Sequence, residues 1–210
     1  MNLFRSTCAV ILGALALPIA AQPLSDGQLV EALRGGGYVI VFRHGATNAD
    51  QADTDPLNVE QPGNEAKQRH LSDKGRSTAR AWNEAFRKMG IPVGRIYTSK
   101  LFRAQETARL AFGEPTTTFD VTEGNQIVSP NENNRRAAML HKMASTAPDA
   151  GTNTIVVTHK PNVIDAFGKD WFEVKEGEAS VFKPDGRGGF AAVGRVLPDR
   201  WSELAASYAK

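Results

Sequence analysis

The chain has 210 residues, with 25 Lys and Arg against 23 Asp and Glu and a formal net charge of +2. That length fits one domain with a sizeable core. The near balance of charge, the lack of any Lys/Arg run and the scarcity of aromatics between cations exclude the usual basic or base-stacking nucleic-acid surface.

Residues 1–21 read as an export signal. Arg5 gives a positive start, Cys8 to Leu17 form a short apolar run, and Pro18-Ile19-Ala20-Ala21 supply small residues for cleavage near Ala21. The run is shorter than the roughly 20 apolar residues of a membrane span. The expectation is a periplasmic or secreted domain over 22–210, with no stable membrane insertion after cleavage. Cys8 is the single cysteine and leaves with the signal. The mature chain then has no disulfide, no thiolate metal site and no cysteine nucleophile.

Ser25 or Asp26 caps a first helix that ends at Gly35-Gly36-Gly37. A strand over 38–42 follows, then a polar stretch over 46–70 with Pro56, Pro62 and Gly63 and no period. Loops of this length in compact domains are functional or disordered. Ser72 caps a helix over 73–89, whose Ala79, Trp82, Ala85, Phe86 and Met89 recur at helical spacing, and Gly90 ends it. A strand over 94–98, a helix over 102–111, a strand over 116–121, a helix over 132–145 and a strand over 154–158 come next. Pro161 opens a helix to 167. Residues 178–183 and 189–196 form a hairpin around Pro184-Asp185-Gly186, and a helix over 199–208 closes the chain. The alternation predicts a three-layer α/β/α sandwich with a mainly parallel central sheet.

Three of the short apolar runs end in chemistry. Tyr38-Val39-Ile40-Val41-Phe42 runs into Arg43-His44-Gly45, Arg95-Ile96-Tyr97-Thr98-Ser99 leads to Arg103, and Thr154-Ile155-Val156-Val157-Thr158 runs into His159. Open α/β sheets bind ligands outside the carboxyl ends of their strands, so these side chains are aimed at one place. Two fixed cations with planar donor forks and two imidazoles suit a phosphoryl group. Asp53-Thr54-Asp55 lacks a preceding strand and fails the calcium-loop pattern, so a solvated loop is preferred. His70 and His141 read as ordinary surface histidines. No His, Asp or Glu cluster has metal-ligand spacing, and no cofactor is implied.

Arg43-His44-Gly45 after a first strand resembles the signature of the histidine phosphatase, or phosphoglycerate mutase-like, superfamily. Ser99-Lys100-Leu101-Phe102-Arg103-Ala104-Gln105-Glu106-Thr107-Ala108 matches that family's S-x-L-x-R-A-x-x-T-A at every specified position. Leu71-Ser72-Asp73-Lys74-Gly75-Arg76 resembles its helix opening, and Val156-Val157-Thr158-His159 its second-histidine segment. The resemblance implies a phosphoglycerate mutase-like fold, His44 as nucleophile forming a phosphohistidine, and Arg43, Arg103 and His159 around the phosphoryl group. Thr47 and Asn48 are candidate phosphate donors, with turn residues as the equal alternative. Family members use a carboxylate after the second Arg as general acid. Glu123 fits best, with Glu132 and Asp120 as rivals.

Thr158-His159-Lys160-Pro161 departs from the common form, in which Gly follows the second His. It resembles the smaller phosphatases of the superfamily, including those acting on protein phosphohistidine. Lys160 is either an extra cation for a polyanionic substrate or a solvated lysine. The reading is an exported phosphomonoesterase acting on a small-molecule or glycan phosphomonoester. The alternatives are a phosphohistidine phosphatase or mutase-like phosphotransferase and, from another class, a non-catalytic phosphate-ligand binding protein. Specificity is expected in 46–70 and 122–135, and sugar phosphates, nucleotides and phosphorylated envelope glycans are the candidate substrates.

Overall fold

Alternation of apolar side chains along Val39–Arg43 (β1) sends Val39 and Val41 to one face of a sheet and Ile40 and Phe42 to the other, all buried. A strand apolar on both faces needs cover on both, and the chain supplies it with helices. The computed structural model describes residues 23–124 and 127–208. The export signal expected over 1–21 lies outside them. Among the described residues, no helix is long and apolar enough to cross a membrane.

The other strands are Val93–Ser99 (β2), Thr116–Thr118 (β3), Asn153–Thr158 (β4), Ala179–Pro184 (β5) and Phe190–Val196 (β6). They form a six-stranded sheet in the order β3-β2-β4-β1-β5-β6. β1, β2, β3 and β4 are parallel, and β5 is antiparallel to both β1 and β6, so β5 alone runs against the rest. The hairpin is held at its tip by Asp185, whose Oδ1 accepts from the amides of Arg187 (2.7 Å) and Gly189 (2.9 Å).

Helices Asp26–Arg34 (α1), Asp73–Met89 (α2), Phe102–Ala111 (α3) and Arg200–Tyr208 (α6) bury their apolar faces on Ile40, Phe42, Ile155, Val157 and Val181. Helices Pro130–Ser145 (α4) and Lys160–Phe167 (α5) cover Val39, Val41, Val156 and Phe182 on the other side. This is the expected three-layer α/β/α sandwich. Trp82 lies in the larger core with its ring 5.2 Å from Phe42.

One strand is shorter than expected. Only Thr116–Thr118 pairs with β2, and Phe119–Val121 winds into a 3₁₀ turn. The Thr118 hydroxyl accepts from the Asp120 amide (3.1 Å), a local bond that competes with the ladder. The helix expected from 132 begins two residues earlier, because Ser129 caps it through the Glu132 amide and Pro130 occupies its first turn.

The polar stretch 46–70 is a built loop. Its ends meet where the Asn48 amide donates to the His70 carbonyl (3.1 Å), and within it residues 54–67 close on themselves, the Thr54 amide donating to the Lys67 carbonyl (2.8 Å). Inside, Asn64 donates to the Asp55 carbonyl (2.8 Å) and accepts from Gln68 (2.8 Å). Such closure, with side chains filling the interior, is the pattern of an Ω-loop.

Candidate active site

Strand register builds the centre of the site. Arg43 pairs with Thr158 across β1 and β4, so the next residues, His44 and His159, leave the sheet side by side. Their ring centroids are 5.1 Å apart, and the His44 amide donates to the Thr158 carbonyl (2.9 Å). Arg103 stands on the first turn of α3, where free helix amides and the dipole favour an anion. All three are buried: His44 is 2 % exposed, Arg103 1 % and His159 0 %.

The motif residues between these groups hold them in place. Thr107 Oγ1 donates to the Arg103 carbonyl (2.7 Å) and accepts from the Gly45 amide (3.0 Å), tying the α3 turn to the loop after β1. Ser99 Oγ accepts from the Leu101 amide (3.0 Å) and lies 2.7 Å from His159 Nε2. Ser72 caps α2 and also donates to the Ala46 carbonyl (3.2 Å). Gly75 lets that helix approach: a Cβ there would stand 2.1 Å from Ala46 O, so any side chain would push α2 off the nucleophile loop.

His44 Nδ1 lies 2.8 Å from the Gly45 carbonyl. A carbonyl only accepts, so Nδ1 carries the proton and the Nε2 lone pair is available. Burial, then Arg103, holds the His44 imidazole well below its ordinary value, and the same two causes do so for His159. Both rings are neutral at neutral pH. The unfolded chain takes up protons near pH 6.5 that the native rings refuse, so these groups stabilise the fold above that pH and the contribution is lost as pH falls. Urea unfolding should therefore show stability falling from pH 7.5 to 5.5 by roughly 1 kcal/mol per ring. A flat profile would mean that the rings are charged in the native state.

Carboxylates complete the cluster. Arg103 Nη2 donates to Glu123 Oε2 (3.4 Å), and that oxygen lies 3.3 Å from His159 Nδ1. Glu123 follows a backbone segment held firmly from three sides. Arg136 (3.0 Å) and Asn162 (3.2 Å) donate to the Thr122 carbonyl, and Thr158 (2.7 Å) donates to that of Val121. The rivals are elsewhere engaged. Glu132 is bound by Arg135 and Arg136, which pull its carboxyl down to about 2, and Asp120 accepts from Arg135 (2.6 Å).

Several placements differ from the sequence reading. Asp53 is no solvated loop residue: both its oxygens accept from Arg103 Nη1 (3.0 Å each), and Oδ1 accepts from the Arg69 amide (2.9 Å). Arg69 lies within electrostatic reach of Arg43, His44 and His159, a third cation that no motif singles out. Thr47 and Asn48 direct their donors at the protein: Thr47 Oγ1 to Glu176 (2.8 Å) and Asn48 Nδ2 to the Leu71 carbonyl (3.5 Å). Glu176 also pairs with Arg43 (3.4 Å), whose Nη1 donates to the Val174 carbonyl (2.9 Å). Lys160 sits over the Phe172 ring (4.7 Å). His70 packs on Phe102 (5.3 Å) half-buried, whereas His141 is exposed, against Phe190.

Two buried donors of the cluster have no hydrogen-bond partner among the described residues: Arg43 Nε and Arg103 Nε. Buried polar groups are ordinarily paired. The arrangement therefore calls for acceptors from outside the chain, as the oxygens of an anion would supply. Among the described residues, no three His, Cys, Asp or Glu side chains converge to hold a metal ion.

No curated protein matches the chain in sequence. Its fold is similar to that of a mutant phosphoserine phosphatase from Entamoeba histolytica solved in complex with phosphoserine. The two are 14% identical with a TM-score of 0.53, over 78% of this chain and 98% of the other. It is similar too to the protein histidine phosphatase SixA solved with tungstate, at 15% identity and a TM-score of 0.51, over 77% of this chain and 97% of that one. The model of the histidine phosphatase superfamily (branch 1) matches residues 39–124, the segment that holds Arg43, His44, Arg103 and Glu123. Over residues 39–124 the chain is therefore similar to the histidine phosphatase superfamily, and the sheet order, the paired strand ends and the linked motif residues described above agree with that likeness.

Proposed function

We propose that the protein is an exported phosphomonoesterase of the histidine phosphatase type that works through a phosphohistidine on His44. The observation that carries the reading is the orientation of His44. Its Nδ1 proton is held by the Gly45 carbonyl and its other nitrogen is unprotonated, beside Arg103. In the first step the Nε2 lone pair attacks phosphorus, an N–P bond forms and the ester P–O bond breaks. Arg43, Arg103 and His159 stabilise the charge on the non-bridging oxygens. Glu123, as general acid, delivers a proton to the departing alkoxide. In the second step the Glu123 carboxylate takes a proton from water as the water oxygen bonds to phosphorus. The N–P electron pair then returns to Nε2 and phosphate leaves.

A pulse of radiolabelled phenyl phosphate, quenched in alkaline detergent because phosphohistidine is acid-labile, tests this. The label should sit on the peptide containing His44. Turnover with no trapped label on the millisecond scale would refute the covalent route. Binding with neither turnover nor label would leave a phosphate-binding protein. Transfer of label to an added alcohol in preference to water would favour the phosphotransferase alternative. Export rests on the sequence of residues 1–21. Protein recovered from the envelope or medium of cells making the full chain should begin near Gln22.

A further inference from the structure

Against Glu123 the surface opens into a cavity of about 180 Å³. Pro56, Leu57 and Val59 come to it from the 46–70 loop, and Phe119, Ile127 and Val128 from the segment around Glu123. Three of the five exposed large hydrophobic side chains among the described residues, Leu57, Phe119 and Ile127, are gathered here. Scattered exposed apolar residues need no explanation, but a cluster lining one hollow marks a binding surface.

The polar groups on the wall are largely engaged by the protein. Thr122 Oγ1 accepts from the Lys100 amide (2.8 Å) and donates to the Thr118 carbonyl (2.8 Å). Arg136 donates to Glu132 (2.8 Å) and to the Thr122 carbonyl (3.0 Å). A sugar or polyol entering here would lose water from its hydroxyls without replacement bonds from these groups, which is costly. An apolar group entering would lose nothing and bury surface. The cavity also joins the phosphoryl site directly, because Asp53 and Glu123 line it and both contact Arg103.

From this we infer that the cavity takes the alcohol portion of the substrate, and that the substrate is a phosphate monoester of an apolar alcohol or phenol. The inference rests on the phosphomonoesterase reading above and adds the class of the leaving group. The size is apt for one ring or a chain of about six carbons, since an apolar cavity of roughly 150 Å³ in another protein holds benzene. With the phosphoryl group among Arg43, Arg103 and the two histidines, the ester oxygen falls on the Glu123 side and the hydrocarbon extends past it toward Leu57 and Ile127.

The test is a series of straight-chain alkyl phosphates from methyl to octyl, whose leaving groups have nearly equal acidity, with glycerol 3-phosphate and glucose 6-phosphate beside them. kcat/KM should rise by about fourfold per methylene and flatten near six carbons, and both polar esters should fall well below hexyl phosphate. In the double variant Leu57→Ser, Ile127→Ser the hexyl-to-methyl ratio should shrink by at least about tenfold. Both residues are exposed, so the core is left untouched. A flat series, or polar esters preferred over hexyl phosphate, overturns the inference while leaving the phosphatase standing. A rising series unchanged in the double variant overturns the assignment to this cavity. If no monoester is turned over, the phosphomonoesterase reading fails first and takes this one with it.

Discussion

His44→Ala should lower turnover of every phosphomonoester the enzyme accepts by at least about three orders of magnitude, the scale of losing a catalytic nucleophile. Among the described residues, none stands ready to replace it. His159 is the other imidazole in reach, but its Nε2 is 2.7 Å from Ser99 Oγ and its Nδ1 lies beside Glu123, so neither nitrogen stands where His44 Nε2 does. Asp53 is a carboxylate held to Arg103, already paired with the cation that would draw the phosphate, and Glu123 serves the leaving group. The loss should fall on kcat. Arg43 and Arg103 remain, so vanadate or phosphate should still bind the variant. Retention of a tenth of the activity would sink the phosphohistidine mechanism. Loss of phosphate binding together with activity would point to a collapsed site, which the urea midpoint of the variant would reveal.

Glu123→Gln should slow alkyl phosphates by about two to four orders of magnitude, the range for general acid catalysis. Nitrophenyl phosphate should lose much less, because its leaving group departs without a proton. Glu132→Gln should slow both substrates little and equally. Glu132 is bound by Arg135 and Arg136, and its carboxyl, pulled down to about 2, is the wrong group to deliver a proton at neutral pH. The reverse pattern would move the acid role to Glu132. Small, equal losses in both variants would place it elsewhere, with Asp120 next in line. Hydrolysis of the phosphohistidine has to be timed separately, since a slow second step hides dependence on the leaving group.

Local information carried the strands and helices well where period and cap agreed. Residues 39–42 and 154–157 are mostly β-branched and apolar, the pattern of strands buried on both faces. Ser72 and Gly90 bracket α2 at the positions expected of a cap and a left-handed stop. The failure at 116–121 has a cause on the same scale. A β-branched threonine run reads as a strand until one of its hydroxyls turns back on the backbone. Periodicity does not register that choice, since it depends on which acceptor the chain finds first.

Legible in the sequence were the candidate groups and the strand ends that carry them: Arg43 closing β1 with His44 just after it, Arg103 at the head of α3, Glu123 with its rivals Asp120 and Glu132 after β3, and His159 after β4. Each follows from residues next to it in the chain. How those groups are partnered was set by contacts between distant segments. Arg103 meets Asp53 across 50 positions, Ser99 meets His159 across 60, and Thr47 meets Glu176 across 129. These contacts arise because the β1–β4 register and the closed 46–70 loop bring distant segments together. A polar side chain has no period that foretells its partner: whether Asp53 faces water or a buried guanidinium is settled by what the fold sets against it, since a buried cation must find counter-charge and a solvated one need not.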